Sequence, residues 1–537
     1  MKNTYLICIT FCVLLIACNN NNNNSTTARK EFKRNLSITK DNAYNDLFLD
    51  SAALEDFITQ QNIEGGEANR IRAFYYDRNF EYAWFATDGI TEQGRGFWNL
   101  VSYSVTSLKD SSAFSKVLNK RMPDITSADS LTISASDTSF TKTELLLTEA
   151  FMRYTNANSD VENNTELLQY VPEKKDPVMQ AANNILKSND EPGLNKDAEA
   201  AYNLLKEQLK KYYDIANKGG WVNIDFTHKK YKQGSSATVI PLVKKRLAIT
   251  GEYQGSDSSA TFDNLLDTAI KSYQISMGYT PNGVITDSLI KDMDVTAVKR
   301  VEQLLINLYR IKWMPEAVQG RLIIANIPEY ELHVYDDKKK VFDMDVVVGK
   351  DGAGTVIFTG NLTEIVFSPY WNIPPSIVRK EIVPKMNADK DYMARENLEI
   401  TGHSNGLPIV RQKPGPKNAL GRVKFLFHNS YNIYFHDTPE KSLFEKDKRA
   451  YSHGCIRLAD PVKMADYLLD DSQKWTPDKI NEAMNSGKEK YVDLKKSVAV
   501  IITYYTAWVD ENNRLNFRDD IYHHDADMAA KMFTNAD

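Results

Sequence analysis

Apolar positions fall into three regimes along the chain. From about residue 42 to residue 225 they recur at three- and four-residue spacing, as in TELLLTEAFMRYTNA and AEAAYNLLKEQLKKYYDIANKGGW. That period predicts a helical scaffold, with the aromatic residues of FYYDRNFEYAWF packed in its core. From 226 to 296, short helices alternate with polar turns. VIPLVKKRLAITGEY and TFDNLLDTAIKSYQISMGY predict two of them, the second with a stripe of Leu265, Ala269, Ile270 and Tyr273. A turn at Pro281, Asn282 and Gly283 leads to a third helix, N-capped by Thr286 or Asp287. TAVKRVEQLLINLYRIKWMP, within 297–320, reads as a connecting helix.

Beyond it the period drops to two. RLIIANIPEYELHVYDDKKKVFDMDVVVG alternates apolar and polar residues around a hairpin tip, DDKKK. TEIVFSPYW, RVKFLFHN, YNIYFHD and VAVIITYYTAWVD predict further strands, and DPVKMADYLL a helix. The stretch from Ser376 to Leu420, rich in Pro, Lys and Asn, is long for a plain connection and reads as a lid or subdomain. The expected fold is α+β and multidomain: a mainly helical N-terminal part, a three-helix module, and a mainly β domain over 321–522 with a capping insertion at 376–420. Residues 523–537 read as a solvated tail.

Composition alters this little: 42% hydrophobic residues and 26% charged suit a folded protein. A formal net charge of −5 offers no basic footprint, so no nucleic-acid partner is expected. The N-terminus changes more. In MKNTYLICITFCVLLIAC, Lys2 precedes an apolar run too short to span a bilayer, which is signal-peptide architecture over 1–18. Leu15-Ile16-Ala17-Cys18 resembles the bacterial lipobox, which implies a lipid on Cys18; Asn19 after it implies the outer membrane. Residues 19–41 open on an asparagine run and form a flexible tether. The chain is expected to be exported, lipid-anchored to a membrane, facing the periplasm and monomeric. Cys8 and Cys12 would leave with the signal, so Cys455 remains as a lone thiol with no disulfide partner.

That thiol sits in AYSHGCIRLAD. A cysteine with a reference pKa of ~8.5 needs a base or a positive neighbour to act as a nucleophile. His436 ends the strand-like YNIYFHD, and the excursion TPEKSLFEKDKRAY is long enough to bring it back beside Cys455. Gly454 leaves room for a substrate to approach main-chain N–H groups that face an oxyanion. An inert core cysteine needs neither feature. His523, His524 and Asp525 lack a further ligand at zinc-like spacing, so no metal site is assigned.

His436 with Ser452-His453-Gly454-Cys455-Ile456-Arg457 resembles the signature of the L,D-transpeptidases, cysteine enzymes that crosslink peptidoglycan. The resemblance runs on through VVVGK, SPYWNIPPSIVRKEIVPK, RQKPGPKNALGRVKFLFHN and TAWVDENNRLNFRDDIY, towards the large multidomain Gram-negative subgroup. Residues 226–296, with Tyr273-Gln274 and the Asn282-Gly283-Val284 turn, resemble a small peptidoglycan-binding module; Thr286 stands where that module often has Gly, and a generic three-helix spacer fits the same stripes. The family implies Cys455 as nucleophile and His436 as general base, then acid. It implies an oxyanion hole from the N–H groups of Gly454 and Cys455 with the Tyr434 hydroxyl. Ser452, His453 and Arg457 would hold the loop and the donor peptide, and Trp371 and Asn372 would wall the pocket. His453 and Arg457 fit a purely structural role as well, and Trp371 a core one.

The implied partner is the peptidoglycan stem peptide, and no metal or organic cofactor is called for. The implied reaction is a thioester with a tetrapeptide donor, release of D-Ala and a 3→3 crosslink, blocked by carbapenem-type β-lactams. The same residues would serve an L,D-carboxypeptidase or an enzyme that attaches a lipoprotein to the stem. With an idle thiol, the chain would be a non-catalytic tether between membrane and wall.

Overall fold

The computed structural model describes residues 32–534 apart from 129–130, 159–169, 189–193, 226–228, 318 and 470–473; Cys18, the predicted signal and most of the tether lie outside the described residues. The chain is α+β, helical in its N-terminal part and sheet-rich from residue 321. Among the described residues no helix is long and apolar enough to cross a membrane.

The helical part is built on separate cores. In the first, Trp84, Phe97 and Phe151 stack with ring centroids 5.3–5.4 Å apart, and Trp313 joins them from far along the chain. The buried aromatic run of residues 74–85 therefore serves packing, as its spacing predicted. In the second, helix Lys196–Asn217 lies against helix Ala297–Ile311. The latter is more than a connector: Val301, Leu304, Leu305 and Leu308 are fully buried. The supposed tail is a correction. Residues His524–Met532 form a helix whose Met528 and Met532 enter this second core, and Asp525 accepts hydrogen bonds from Arg310 and Thr506. Its apolar side chains are too few to show a period in so short a stretch.

The module has a core of its own, from helices Ile240–Thr250, Asn264–Ser276 and Asp287–Asp294. Thr286 is the N-cap, accepting from Leu289 N–H. The buried stripe begins at Leu266 rather than Leu265, which is 57% exposed; Leu266, Ala269, Ile270 and Tyr273 have the i, i+3, i+4, i+7 spacing of one helix face.

Among the described residues nine strands make the main sheet: β1 Arg321–Asn326, β2 Glu331–Asp336, β3 Lys339–Gly349, β4 Thr359–Phe367, β5 Val423–Phe427, β6 Phe435–His436, β7 Ile456–Leu458, β8 Lys490–Thr503, and the short strand Ala450–Ser452, which runs parallel to β3 just before the thiol. The numbered strands lie in the order β3-β7-β6-β5-β4-β8-β1-β2, and a β2–β3 pairing closes the sheet on itself. Asp337 and Lys338, both at positive φ, make the tight turn between β2 and β3 at the predicted tip. Most neighbours are antiparallel; β6–β7 and β8–β1 are parallel. The insertion is an ordered cap. Strands Trp371–Asn372, Leu398–Ser404 and Leu407–Gln412 form its sheet, over a small core of Ile373, Ile377, Val378, Ile382 and Val410.

Candidate active site

The parallel pair β6–β7 organises the site. Phe435 stands opposite Ile456, and His436 opposite Arg457. Alternation along a strand then sorts the side chains. Phe435 and Ile456 point into the barrel core, fully buried, while Tyr434, His436, Cys455 and Arg457 share the other face. A parallel pair needs a long crossover, and residues 437–455 supply it. Cys455 and His436, the nucleophile and base expected from the sequence, thus stand on the same face at adjacent strand ends.

His436 is 4% exposed, and its Nδ1 lies 2.5 Å from the Asp437 carbonyl oxygen. A carbonyl only accepts, so Nδ1 carries the proton and Nε2 keeps its lone pair. Burial, and secondarily the Arg457 guanidinium, push the imidazole down to about 3. Burial pushes the partly buried Cys455 thiol up to about 11, against hydrogen bonds from the backbone and hydroxyl of Tyr434. The resting pair is therefore neutral. Sγ donates to the Asn432 carbonyl at 3.6 Å, and no hydrogen bond joins it to His436 among the described residues. The Tyr434 ring stands edge-on to the imidazole, centroids 5.8 Å apart.

Ser452 holds the turn before the thiol. Its hydroxyl accepts from Gly454 N–H at 3.1 Å and donates to the Cys455 carbonyl at 2.5 Å. Of the three donors named from the sequence, the Gly454 amide is engaged by Ser452 and the Tyr434 hydroxyl by the thiol, and the Cys455 N–H has no partner among the described residues. Gly454 is also required for a different reason than room. Its φ is +112°, while an added Cβ would meet only ordinary contacts beyond 3.7 Å. Behind the turn, Thr355 donates to the Gly454 carbonyl at 2.8 Å and accepts from Gly349 N–H at 3.0 Å. The Tyr522 hydroxyl donates to the Gly349 carbonyl at 2.5 Å and accepts from Thr355 N–H at 3.2 Å. Sequence reasoning missed both residues; only their flanking runs, VVVGK and RDDIY, marked the region.

His453 points to the cap, with Nε2 2.9 Å from Glu381 Oε1. Arg457 donates to Glu440, and its Nε is buried without a partner among the described residues. Trp371, Glu440 and Arg457 line a cavity of ≈ 300 Å³ between the cap and the strand ends. Trp371 also packs on the cap core, so both readings of it hold. Asn372 is exposed, pairs with Arg411 on the cap sheet and does not line that cavity.

Elsewhere in the barrel, Glu329, Glu331 and His333 bring ligand atoms within 4.8 Å of one another. Both nitrogens of His333 already face carboxylates, Asp343 at 2.7 Å and Glu329 at 3.2 Å. These carboxylates outweigh the desolvation that opposes them and raise the imidazole to about 10, so it is an imidazolium without a lone pair to give.

A thiol, a tautomer-fixed imidazole and an amide donor at neighbouring strand ends, beside a capped cavity that Arg457 lines, form a candidate acyl-transfer site. Comparison with known proteins agrees. Residues 320–502 match the family model of the L,D-transpeptidase catalytic domain, and residues 69–212 match that of a scaffold domain. A Haemophilus influenzae protein described as "Putative L,D-transpeptidase" is 32% identical over 240 residues, covering 42% of this chain and 48% of that protein. The match thus spans about half the length of that curated relative. Among solved structures, an L,D-transpeptidase from Mycobacterium smegmatis overlaps 35% of this chain and 59% of its own, at 14% identity and a TM-score of 0.20. One from Stackebrandtia nassauensis overlaps 52% of this chain and 95% of its own, at 15% identity and a TM-score of 0.21. Residues 320–502 are thus similar to an L,D-transpeptidase catalytic domain.

Proposed function

We propose that the chain is an L,D-transpeptidase that forms 3→3 crosslinks in peptidoglycan through a thioester on Cys455. The observation that carries this reading is the β6–β7 register, which sets Tyr434, His436 and Cys455 on one face, with the imidazole Nε2 free to take a proton. The Cys455 thiol gives its proton to His436 Nε2 as Sγ attacks the carbonyl of the third stem residue. The oxyanion is met by the Cys455 N–H and the Tyr434 hydroxyl. The carbon–nitrogen bond breaks, and D-Ala leaves with the proton returned from Nε2. A side-chain amine of a second stem then attacks the thioester and loses its proton to Nε2. The new amide forms, the carbon–sulfur bond breaks, and the thiolate recovers its proton.

Proton transfer at the moment of attack suits a resting pair that is neutral on both sides, as here. The cap core lies beside the strand ends, and exclusion of water by it when substrate is bound favours transfer over hydrolysis. On the sequence of residues 1–41 the protein works outside the cytoplasm, held by lipid on Cys18 at the outer membrane. The test is to incubate the protein with a disaccharide-tetrapeptide and weigh the products. Crosslinked dimer is expected, and none from Cys455→Ala; tripeptide alone would make it a carboxypeptidase, and no product at all would leave only a wall tether.

A further inference from the structure

A second cavity, ≈ 500 Å³, lies between the helical part, strands β1–β3 and a C-terminal hairpin, Ala507–Val509 with Leu515–Phe517. Its size falls within the roughly 300–1,000 Å³ of small-ligand clefts, and such clefts favour domain boundaries. Nothing in the acyl-transfer reaction uses it. The hairpin alternates: Ala507 and Phe517 are buried in the second helical core, while Trp508, paired with Asn516, turns to the cavity. Unlike the buried Trp84 and Trp313, Trp508 stays partly exposed. The Arg518 guanidinium stacks on its indole at 4.9 Å and is itself fixed by the carbonyls of Ser276 and Phe517, at 3.0 and 2.9 Å. Across the cavity Ile275 is 36% exposed. At the rim, Asp510 accepts from the N–H groups of Asn512 and Arg514, both at 2.9 Å, and so fixes the hairpin turn.

The cations on the barrel side are already matched, while Arg514 and Arg518 on the hairpin side hold no ion pair among the described residues. His333 sits between Glu329 and Asp343, and Lys340 between Asp343 and Glu511 at 3.0 and 2.6 Å. A ligand charge set against the barrel strands would have to break these pairs. A neutral ligand rich in hydroxyl and amide groups would not: it can lay its CH face on the indole and hydrogen-bond to the rim. A peptide is a poorer fit, because each barrel strand lining the cavity is paired on both sides and offers no free edge. Arg518 also lines a small adjoining cavity with Asp447 and Lys448, on the segment leading into the Cys455 turn. The two cavities thus adjoin at Arg518.

We infer that the Trp508 cavity binds the glycan backbone of the wall polymer, a neutral chain of N-acetylated amino sugars, while the stem peptide hanging from it enters at Cys455. The inference rests on the transpeptidase reading for the identity of the polymer. It is tested on the full chain labelled with 5-fluorotryptophan and titrated with chitotetraose. The fluorine resonance lost in Trp508→Phe is expected to shift, and calorimetry is expected to show at least tenfold weaker binding for Trp508→Ala at an unchanged melting temperature. Should Trp508→Ala unfold, the Trp508→Phe calorimetry decides instead, with weaker binding expected there as well.

Binding that persists undiminished in the variants, a shift confined to Trp221 of the helical part, or no binding overturns the inference. A protein that binds chitotetraose through Trp508 yet makes no crosslink supports the cavity and counts against the reaction. One that crosslinks while the Trp508 resonance stays fixed sinks the cavity alone.

Discussion

The barrel holds two histidines in opposite states. His436 meets a backbone carbonyl and is pushed down to about 3; His333 meets two carboxylates and is pushed up to about 10. Both are desolvated, so burial alone does not decide the charge. The partner does. A carbonyl fixes a tautomer and leaves a base, whereas a pair of carboxylates fixes a cation and leaves none. The same residue type thus makes a catalytic group at one place and a structural bracket at the other.

The largest effect expected is at the first histidine and its thiol. Cys455→Ala removes crosslinking altogether, and His436→Gln slows it by roughly 10²–10⁴, both read as dimer formed over time by mass. His333→Gln should leave the chemistry within a small factor; an equal loss there would erase the contrast.

The second prediction is about pH. With the thiol held up near 11, its alkylation by iodoacetamide should climb about tenfold per pH unit from 7 towards 10. A plateau starting below pH 8 would instead reveal a standing thiolate–imidazolium pair. Stability carries the same contrast with opposite signs. His333, raised from 6.5 to about 10, contributes fully below pH 6.5 and loses that contribution as pH rises towards 10. His436, lowered to about 3, costs nothing above pH 6.5, but as pH falls from 6.5 towards 3 the unfolded chain gains a proton that the folded one refuses. Melting temperature against pH should lose its alkaline slope in His333→Gln and part of its acid slope in His436→Gln.

The third concerns the turn. Ser452→Ala leaves the Gly454 N–H and the Cys455 carbonyl without their shared hydroxyl, a loss of about 1–3 kcal/mol read by denaturant unfolding. It should lower kcat more than it raises KM, since the nucleophile is displaced while the cap is untouched. The smallest effect is at the rim. Glu381→Gln weakens an exposed contact to His453 worth about 0.2–1 kcal/mol, so KM should change by less than about fivefold.

Much of this site was legible because it is local. Ser452 to Arg457 are contiguous, and His436 closes a strand whose alternation could be read. What braces the turn was not legible, since Thr355 and Tyr522 come from distant stretches and leave no period at Cys455. The barrel strands followed from their period of two, yet closure through β2–β3 depends on twist and register, which no single strand carries. The exposure of Leu265 shows the limit of stripes read without the neighbouring helices: one residue of phase separates a core position from a solvated one.

The ion pairs around Arg310 have a temporal consequence. Glu92, Arg310 and Asp525 meet in one place, and helix His524–Met532 seats in a core that includes Tyr44 and Val178. During synthesis from the amino end, that core stays unfinished until residues 524–532 have emerged. Contacts of such wide sequence separation slow folding and expose intermediates, so the nascent protein spends a vulnerable interval waiting for helix His524–Met532.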